Sequence, residues 1–481
     1  MRDKIAMILR QADRVGDTKT APLRSNGWVG EVVGATNEAQ LLDGSARRFV
    51  NLDNAATTPA LVAVQQAVLD YLPWYSSVHR GAGFKSRLST AIFEEARAEI
   101  GACLGIDTTR QDVIFVKSAT EGLNKVAHGL VGTDATVFTT LMEHHANLLP
   151  WQAHASAVRY IQTDDDGVID EEDLARQLRS APHGPKLVAV SGAYNISGYS
   201  PPVHRLAALA HAYGAEILVD GAQYAPHHVV NVRGYAPGEE LDYLVFSAHK
   251  IYAPFGLGVL IAPRRSFHGR PDVVGGGAAA RVTPDDVVWA ELPDREEAGS
   301  PNVIGVVALA AALRRLEELG RGAIEDYETR LTSYAIERLT AVPGLTLLGP
   351  RDGRVAILTF VLAGLPHDLV AAILGYEHSI GVRAGLFCAH QGVQRLLRAV
   401  PTPSHGAPCV GGEAAGVTGA VRASLALYNT AADIDALASA LTSIAQGERA
   451  DRYVRHASGD YQPAGWRPEY DSARSWLAGA V

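Results

Sequence analysis

Five short, nearly unbroken apolar runs constrain this chain most: DVIFV (112–116), ATVFTT (135–140), KLVAVSG (186–192), EILVD (216–220) and YLVFS (243–247). Helical patterns such as PVHRLAALAHAYG separate them. Strands that alternate with helices make βαβ units on a mostly parallel sheet. Helices cover both faces of such a sheet, so its strands read as continuous rather than alternating apolar runs. The pattern predicts an α/β fold.

The chain has 481 residues. That is more than one hydrophobic core usually serves, and two domains are expected. The main body starts at RRFVNLDNAATTP, leaving 1–48 as an N-terminal extension that opens as an amphipathic helix and then turns Gly- and Asn-rich. A large domain is expected over 49–310 and a smaller one over 311–445, with a tail at 446–481. The helix NVIGVVALAAALRRLEELG (302–320) would link the two. The smaller domain would contain VAILTFVLAG (355–364), a helix near 367–375 and RASLALYNT (422–430). The stretch 391–420, which contains VPTPSHGAPCVGGEAAGVTG, reads as a long surface loop.

Hydrophobic residues make up 47%, charged residues 20%, and the formal charge is −9. This is a soluble enzyme's composition, with no basic footprint for nucleic acid. No run of about 18 apolar residues exists, so no membrane span is expected. The early apolar run IAMIL is too short for a signal-peptide core. Cys103, Cys388 and Cys409 are the only cysteines. So sparse a set makes neither a disulfide framework nor a zinc site, and a reducing cytoplasmic location fits. No metal site is expected.

Chemistry concentrates at the ends of the apolar runs, where open α/β sheets bind ligands. EILVD ends in Asp220, with Gln223 just beyond. Such an acid can pair with a cationic heterocycle or simply cap the next element. YLVFS ends in Ser247 and runs into His249 and Lys250. Lys250 reads as a solvated loop lysine or as a Schiff-base lysine whose amine is tuned by desolvation and nearby charge. Pyridoxal-5′-phosphate (PLP) needs such a lysine, an acid at its ring nitrogen and donors for its phosphate. The Ser-Ala-Thr turn after DVIFV supplies Ala119 and Thr120 ahead of a helix expected to begin near Glu121. Helix N-termini favour phosphate, although a plain helix cap reads the same way. His144 and His145 follow ATVFTT; an imidazole there could stack on a planar cofactor and shuttle protons, or be an ordinary loop residue.

Taken in order, LDNAATTP, VHRGAGFKS, SATEGLN, MEHHAN, YNISG, VDGAQ, FSAHK, EAGSPN, RAGLFCAH and VRASLALYNT resemble the class V aminotransferase superfamily, most closely its cysteine desulfurase and selenocysteine lyase branch. The resemblance spans roughly 49–445. It implies PLP fold type I: a large domain on a mostly parallel seven-stranded sheet plus a smaller α+β C-terminal domain. Lys250 would hold PLP and move protons. Asp220 would pair with the ring nitrogen, Gln223 with the phenolate oxygen, and His144 would stack on the ring. Ala119, Thr120, Ser247 and His249 would hold the phosphate. Ser300 would reach the phosphate of a second subunit, in a homodimer to which His79 and Arg80 also contribute. Asn195, Arg422 and Arg383 would bind the substrate carboxylate; a guanidinium fork suits a carboxylate.

By the same resemblance, Cys388 would take sulfur from L-cysteine or selenium from selenocysteine, leaving L-alanine and a persulfide for a sulfur-acceptor protein. The branch often carries histidines just before this cysteine; here Leu386 and Phe387 stand there. That departure and the 391–420 stretch keep another PLP reaction open: a C–S lyase, epimerase or aminotransferase of a specialised pathway. Cys409 reads as an incidental loop residue or a resolving thiol, and Cys103 as a packed helix residue.

Overall fold

The computed structural model describes residues 27–130, 132–400, 419–449, 452–456 and 459–465. An antiparallel hairpin of β1 (Glu38–Gln40) and β2 (Ala46–Arg48) leads into the short β3 (Val50–Asn51). Helices α1 (Val62–Tyr71) and α2 (Phe84–Cys103) follow.

The chain then builds its main sheet from β4 (Gln111–Val116), β5 (Thr136–Thr139), β6 (Ala157–Tyr160), β7 (Lys186–Ser191), β8 (Glu216–Asp220), β9 (Tyr243–Ser247) and β10 (Gly258–Pro263). Interleaved are α3 (Ala119–His128), α4 (Leu149–His154), α5 (Glu171–Arg179) and α6 (Val203–Ala212). The spatial order is β4-β10-β9-β8-β7-β5-β6. Only β10 runs against its neighbours, pairing antiparallel with both β4 and β9. β9 and β10 are buried along their whole length, and β7 and β8 at every residue but the first. That is why their sequences carry no alternation. α3 begins at Ala119 rather than near Glu121, because Ser118 is still extended and the chain turns helical at the next residue.

Beyond the sheet lie the hairpin β11 (Ala279–Val282) and β12 (Val287–Trp289), then α7 (Val303–Leu319). The Asn302 side chain accepts from Gly305 N at 2.9 Å and caps α7. α7 ends at Gly320, whose φ of 86° needs a residue without a Cβ. α8 (Arg321–Thr340) then leads to a second sheet of β13 (Leu345–Leu348), β14 (Ile357–Leu362), β16 (Arg383–Gly385) and β17 (Ala420–Ser424), ordered β13-β14-β17-β16 and antiparallel throughout. With it belong α9 (His367–His378), the short β15 (Ile380–Gly381), α10 (His390–Arg398) and α11 (Ala431–Ala445). α8, α9 and α11 pack with this sheet in their own apolar cluster, which includes Leu331, Val370, Phe360 and Leu441. β18 (Tyr453–Arg455) and β19 (Tyr461–Pro463) form a last hairpin.

α10 corrects the loop reading of 391–420: its first part is helical. HQGVQRLLR buries Val393 and Leu396 on one face, a helical spacing hidden by the Gly- and Pro-rich residues after it. Residues 401–418, Cys409 among them, lie outside the described residues, as do 1–26 with the expected amphipathic helix. Residues 50–55 tie the two sheets together. Val50 and Asn51 pair with Ile380 and Gly381 in parallel register, and Asp53 bridges to Ser424.

Candidate active site

Every main-sheet residue singled out above sits at or just past the carboxyl end of a strand, along one end of the sheet. Asp220 ends β8, and its neighbour Ser191 ends β7 in direct register. Ser247 ends β9, and a single 3-10 turn then carries His249 and Lys250. Ser247 Oγ accepts from Ala119 N at 2.9 Å, which fixes the start of α3 against the end of β9. The Lys250 turn is held from outside the sheet. The His249 carbonyl accepts from Thr58 N at 2.9 Å and from Thr57 Oγ1 at 3.1 Å. Gln223 Nε2 donates to Ala55 O at 2.7 Å, so the segment 55–58 braces both the β8 and β9 ends.

The electrostatics of this end are unusual. Burial pushes the Lys250 amine down to about 8; the Asp220 charge opposes this and Arg422 reinforces it. Burial also raises the Asp220 carboxyl, against a hydrogen bond from Ala222 N and the Lys250 charge. His144 and His249 are each pushed down to about 4, by burial first and then by Lys250. Both are therefore neutral imidazoles at pH 7. His144 Nδ1 accepts from Ala146 N at 3.1 Å, which leaves the other ring nitrogen to carry the proton.

The second sheet supplies the other wall. Arg422 lies in β17 opposite Thr359 of β14, and is buried. Its Nη2 meets Asp53 Oδ1 at 3.2 Å and its Nη1 donates to Asn195 O at 3.1 Å. Arg383 reaches the other oxygen of Asp53 at 3.6 Å. Asp53 is thus shared by the two arginines. Its motif was visible in the sequence, but its partners lie hundreds of residues away. Two buried polar atoms here have no partner: Asn195 Oδ1 and Arg422 Nε.

Cys388 is exposed and enters this cleft on a constrained turn. Phe387 and Cys388 have φ of 50° and 53°, two consecutive side-chain-bearing residues in left-handed geometry. Such residues cost about 1–3 kcal/mol each and need outside support. Here both carbonyls are captured. Asn195 Nδ2 donates to Phe387 O at 2.8 Å, and His145 N donates to Cys388 O at 2.7 Å. The Arg422 guanidinium lies 5.0 Å from the centre of the Phe387 ring. A Cys388 thiolate lies near enough to raise the proton affinity of both Lys250 and Arg422. Phe387, a departure from the branch pattern, thus packs against the arginine expected to bind substrate.

His79 and Arg80 stand at the turn before α2, with His79 Nε2 2.8 Å from Glu94. Ser300 is exposed, just before α7. Neither group is brought to the cleft within this one chain. Cys103 is half-buried on α2. Sequence reasoning missed Glu143, which is 1% exposed beside His144, because only the folded chain shows it to be buried. Among the described residues, no group of three or more His, Cys, Asp or Glu could hold a metal, and no helix is long and apolar enough to cross a membrane.

The residues present fit PLP by the chemistry of their donors. A tuned amine and a buried acid stand at neighbouring strand ends, a helix N-terminus lies alongside, and the orphaned Asn195 Oδ1 and Arg422 Nε offer an acceptor and a donor in the same cleft.

Comparison with known proteins agrees with this fold. The aminotransferase class-V family model matches residues 50–437. A probable cysteine desulfurase of Halalkalibacterium halodurans is 35% identical over 419 residues, covering 85% of this chain and 94% of that protein. A cysteine desulfurase of Pectobacterium atrosepticum is 36% identical over 416 residues, covering 84% and 95%. Among solved structures, the apo cysteine desulfurase of Thermococcus onnurineus NA1 superposes with a TM-score of 0.73 at 32% identity, over 83% of this chain and 95% of that one. The Escherichia coli cysteine desulfurase CsdA, in its S-sulfonic acid form, gives 0.70 at 29% identity, over 84% and 96%. The chain therefore belongs to the class-V aminotransferase family, within its cysteine desulfurase branch.

Proposed function

We propose that this protein is a PLP-dependent cysteine desulfurase that converts L-cysteine, or selenocysteine, to L-alanine and leaves the chalcogen on Cys388. The observation that carries the reading is the pinned turn. His145 N and Asn195 Nδ2 hold the Cys388 and Phe387 carbonyls so that the thiol enters the same cleft as Lys250 and Arg422.

PLP, when bound, would supply an electron sink for the carbanion left at the substrate's α-carbon. Lys250 would hold it, and Asp220 would keep its ring nitrogen protonated. Gln223 would donate to its phenolate oxygen and His144 would stack on its ring. Ala119, Thr120, Ser247 and His249 would receive the phosphate, with Ser300 of a second subunit. Arg422, Asn195 and Arg383 would orient the substrate carboxylate. An amine tuned to about 8 can both take and return a proton near neutral pH, which suits Lys250 to moving the α-proton. The Cys388 thiolate attacks the substrate sulfur: an S–S bond forms, the C–S bond breaks, and the carbon takes up a proton. L-Cysteine and one thiol thus become L-alanine and one persulfide, with no outside oxidant or reductant. An acceptor protein would then remove the sulfur. The free thiol that must make the attack is kept in reducing surroundings, which supports a cytoplasmic setting.

A homodimer completes the reading. Leu69 on α1, Leu72, Trp74 and Tyr75 just after it, and Phe84 at the start of α2 are exposed, beside the His79–Arg80 turn. So many exposed large apolar side chains in one segment, with the Trp74 and Phe84 rings 6.2 Å apart, support an interface there. Sedimentation as a dimer is expected, and a monomer with full PLP occupancy contradicts this.

The deciding experiment supplies L-cysteine and a reductant to Cys388→Ala and measures alanine and sulfide. The variant should keep its PLP absorbance and lose turnover. Unchanged turnover overturns the persulfide route, and sulfide released with pyruvate in place of alanine favours the C–S lyase reading, which Leu386 and Phe387 keep in view. Lys250→Ala should lose the covalent PLP absorbance band.

A further inference from the structure

Glu143 is a buried acid beside this site that the proposed chemistry leaves unused. It directly precedes His144, and none of its hydrogen-bond partners is charged. Ser191 Oγ donates to Oε2 at 2.5 Å, Asn147 Nδ2 donates to Oε2 at 2.8 Å, and Thr140 Oγ1 donates to Oε1 at 2.9 Å. Each partner ties in a different part of the site. Ser191 ends β7 in register with Asp220. Asn147 follows the His144–His145 pair and accepts from Trp151 Nε1 at 3.1 Å, which anchors the turn to α4. Thr140 ends the β5 run and accepts from Met142 N at 3.1 Å.

We infer that Glu143 is a positioning residue of this site: its carboxyl fixes the His144 turn against the strand end that carries Asp220, and its protonation is felt at the cofactor. This rests on the PLP reading above.

Two facts make the protonation matter. A carboxylate with no cation beside it is costly to bury. Burial, with the Asp220 charge adding to it, pushes Glu143 up to about 7 against the three hydrogen bonds. The titratable groups facing it are Asp220 from the end of β8 and Tyr194 from the segment after β7. Tyr194 is raised by burial and by Glu143, so its phenol stays neutral. Lys250 acts on both Asp220 and His144, and Arg422 and His145 act on His144. The neutral acid also has an acceptor. Thr140 Oγ1 lies 3.3 Å from the Tyr194 hydroxyl and can turn its own hydrogen there while accepting from Glu143. Ionisation would put a second anion behind Asp220 and reverse that hydrogen-bond direction, changing the turn that carries His144.

The test uses the PLP-loaded wild type, Glu143→Gln and Ser191→Ala. The visible circular dichroism of bound PLP and the PLP dissociation constant are followed from about pH 5.5 to about pH 9. Wild type should show a transition in the neutral range. Glu143→Gln, a permanent mimic of the neutral acid, should bind PLP with the wild-type signal at its acid limit and lack that transition. Ser191→Ala removes a donor that favours the anion, so its midpoint should move up by about 1 pH unit. Wild type and Glu143→Gln titrating together would overturn the inference. If Glu143→Gln does not fold, Ser191→Ala decides: an upward shift supports the inference, and a fixed midpoint overturns it. A wild type that takes up no PLP overturns the cofactor reading itself, and this inference with it.

Discussion

His144 and His145 follow β5; His227 and His228 follow β8. Both pairs stand past strand ends of one sheet, yet they meet opposite surroundings. No carboxylate bonds the first pair. His144 lies among Lys250, His145 and Arg422, and is pushed down to about 4 by burial first and then by these neighbours. His145 is lowered by burial and by His390, whose ring centre lies 4.5 Å away. Each member of the second pair has an acid of its own on α8. His227 Nδ1 lies 2.7 Å from Glu328, and His228 Nδ1 lies 2.7 Å from Glu325. Glu325 and Glu328 are one helical turn apart, so adjacent histidines reach one helix face. The difference lies in what each pair is for. On the function proposed above, the histidine that would stack on the cofactor and exchange protons is the one kept neutral. A histidine that must hold α8 to the main sheet is given a partner.

The largest break in this comparison comes at His144. His144→Ala should lower turnover of L-cysteine by about 100-fold or more, the usual loss of a positioned acid–base group. Steady-state alanine formation measures it. Stability should respond through pH instead. The folded protein keeps His144 neutral while the unfolded chain protonates it from about 6.5 downward. Its contribution is therefore complete above that pH and erodes as the pH falls toward 4. Ligand-free His144→Ala should lose less melting temperature over that range than wild type. Equal losses would remove His144 from the set of groups kept neutral by the fold.

Glu328 tests the other side. It is 3% exposed, and its second oxygen has no partner. Glu328→Gln should cost about 2 kcal/mol in denaturant unfolding, because a buried charge-assisted bond becomes a weaker neutral one. It should leave the PLP absorbance unchanged. An effect on PLP with none on stability would reverse the assignment of the two pairs.

These pairs also show what a sequence discloses. Strands β4, β8 and β9 were legible because burial on both faces forces unbroken apolar runs, and Asp220 and Lys250 stood out because one ends such a run and the other closely follows one. His144 was noticed as one of two adjacent histidines past a strand. His227–His228 has the same appearance and drew no reading, since its meaning lies in Glu325 and Glu328, about a hundred positions on. Asp53 and Glu143 were hidden for the same reason: each is defined by partners brought together only by folding. α10 was hidden for a local reason, a short amphipathic helix running straight into Gly- and Pro-rich residues.

Glu325 gives the smallest and most specific effect. Burial raises its carboxyl, but the hydrogen bond and charge of His228, with Val229 N and His227, outweigh that and hold it below the usual range. Its side chain is 34% exposed, so solvent screens most of the pair's attraction. Glu325→Gln should therefore cost only about 0.5 kcal/mol near neutral pH. A depressed carboxylate stabilises the fold above its unfolded pKa and loses that contribution as pH falls through its folded value. The difference between wild type and Glu325→Gln should thus be full near pH 6 and vanish in strong acid. His228 also reaches Ser200 Oγ at 3.1 Å, and Ser200 N donates to Gly353 O at 2.8 Å. Ser200→Ala should leave the acid-dependent part intact, because the carboxylate that titrates belongs to Glu325. If Ser200→Ala flattens the acid profile as Glu325→Gln does, the contact that holds α8 here is the hydroxyl rather than the ion pair.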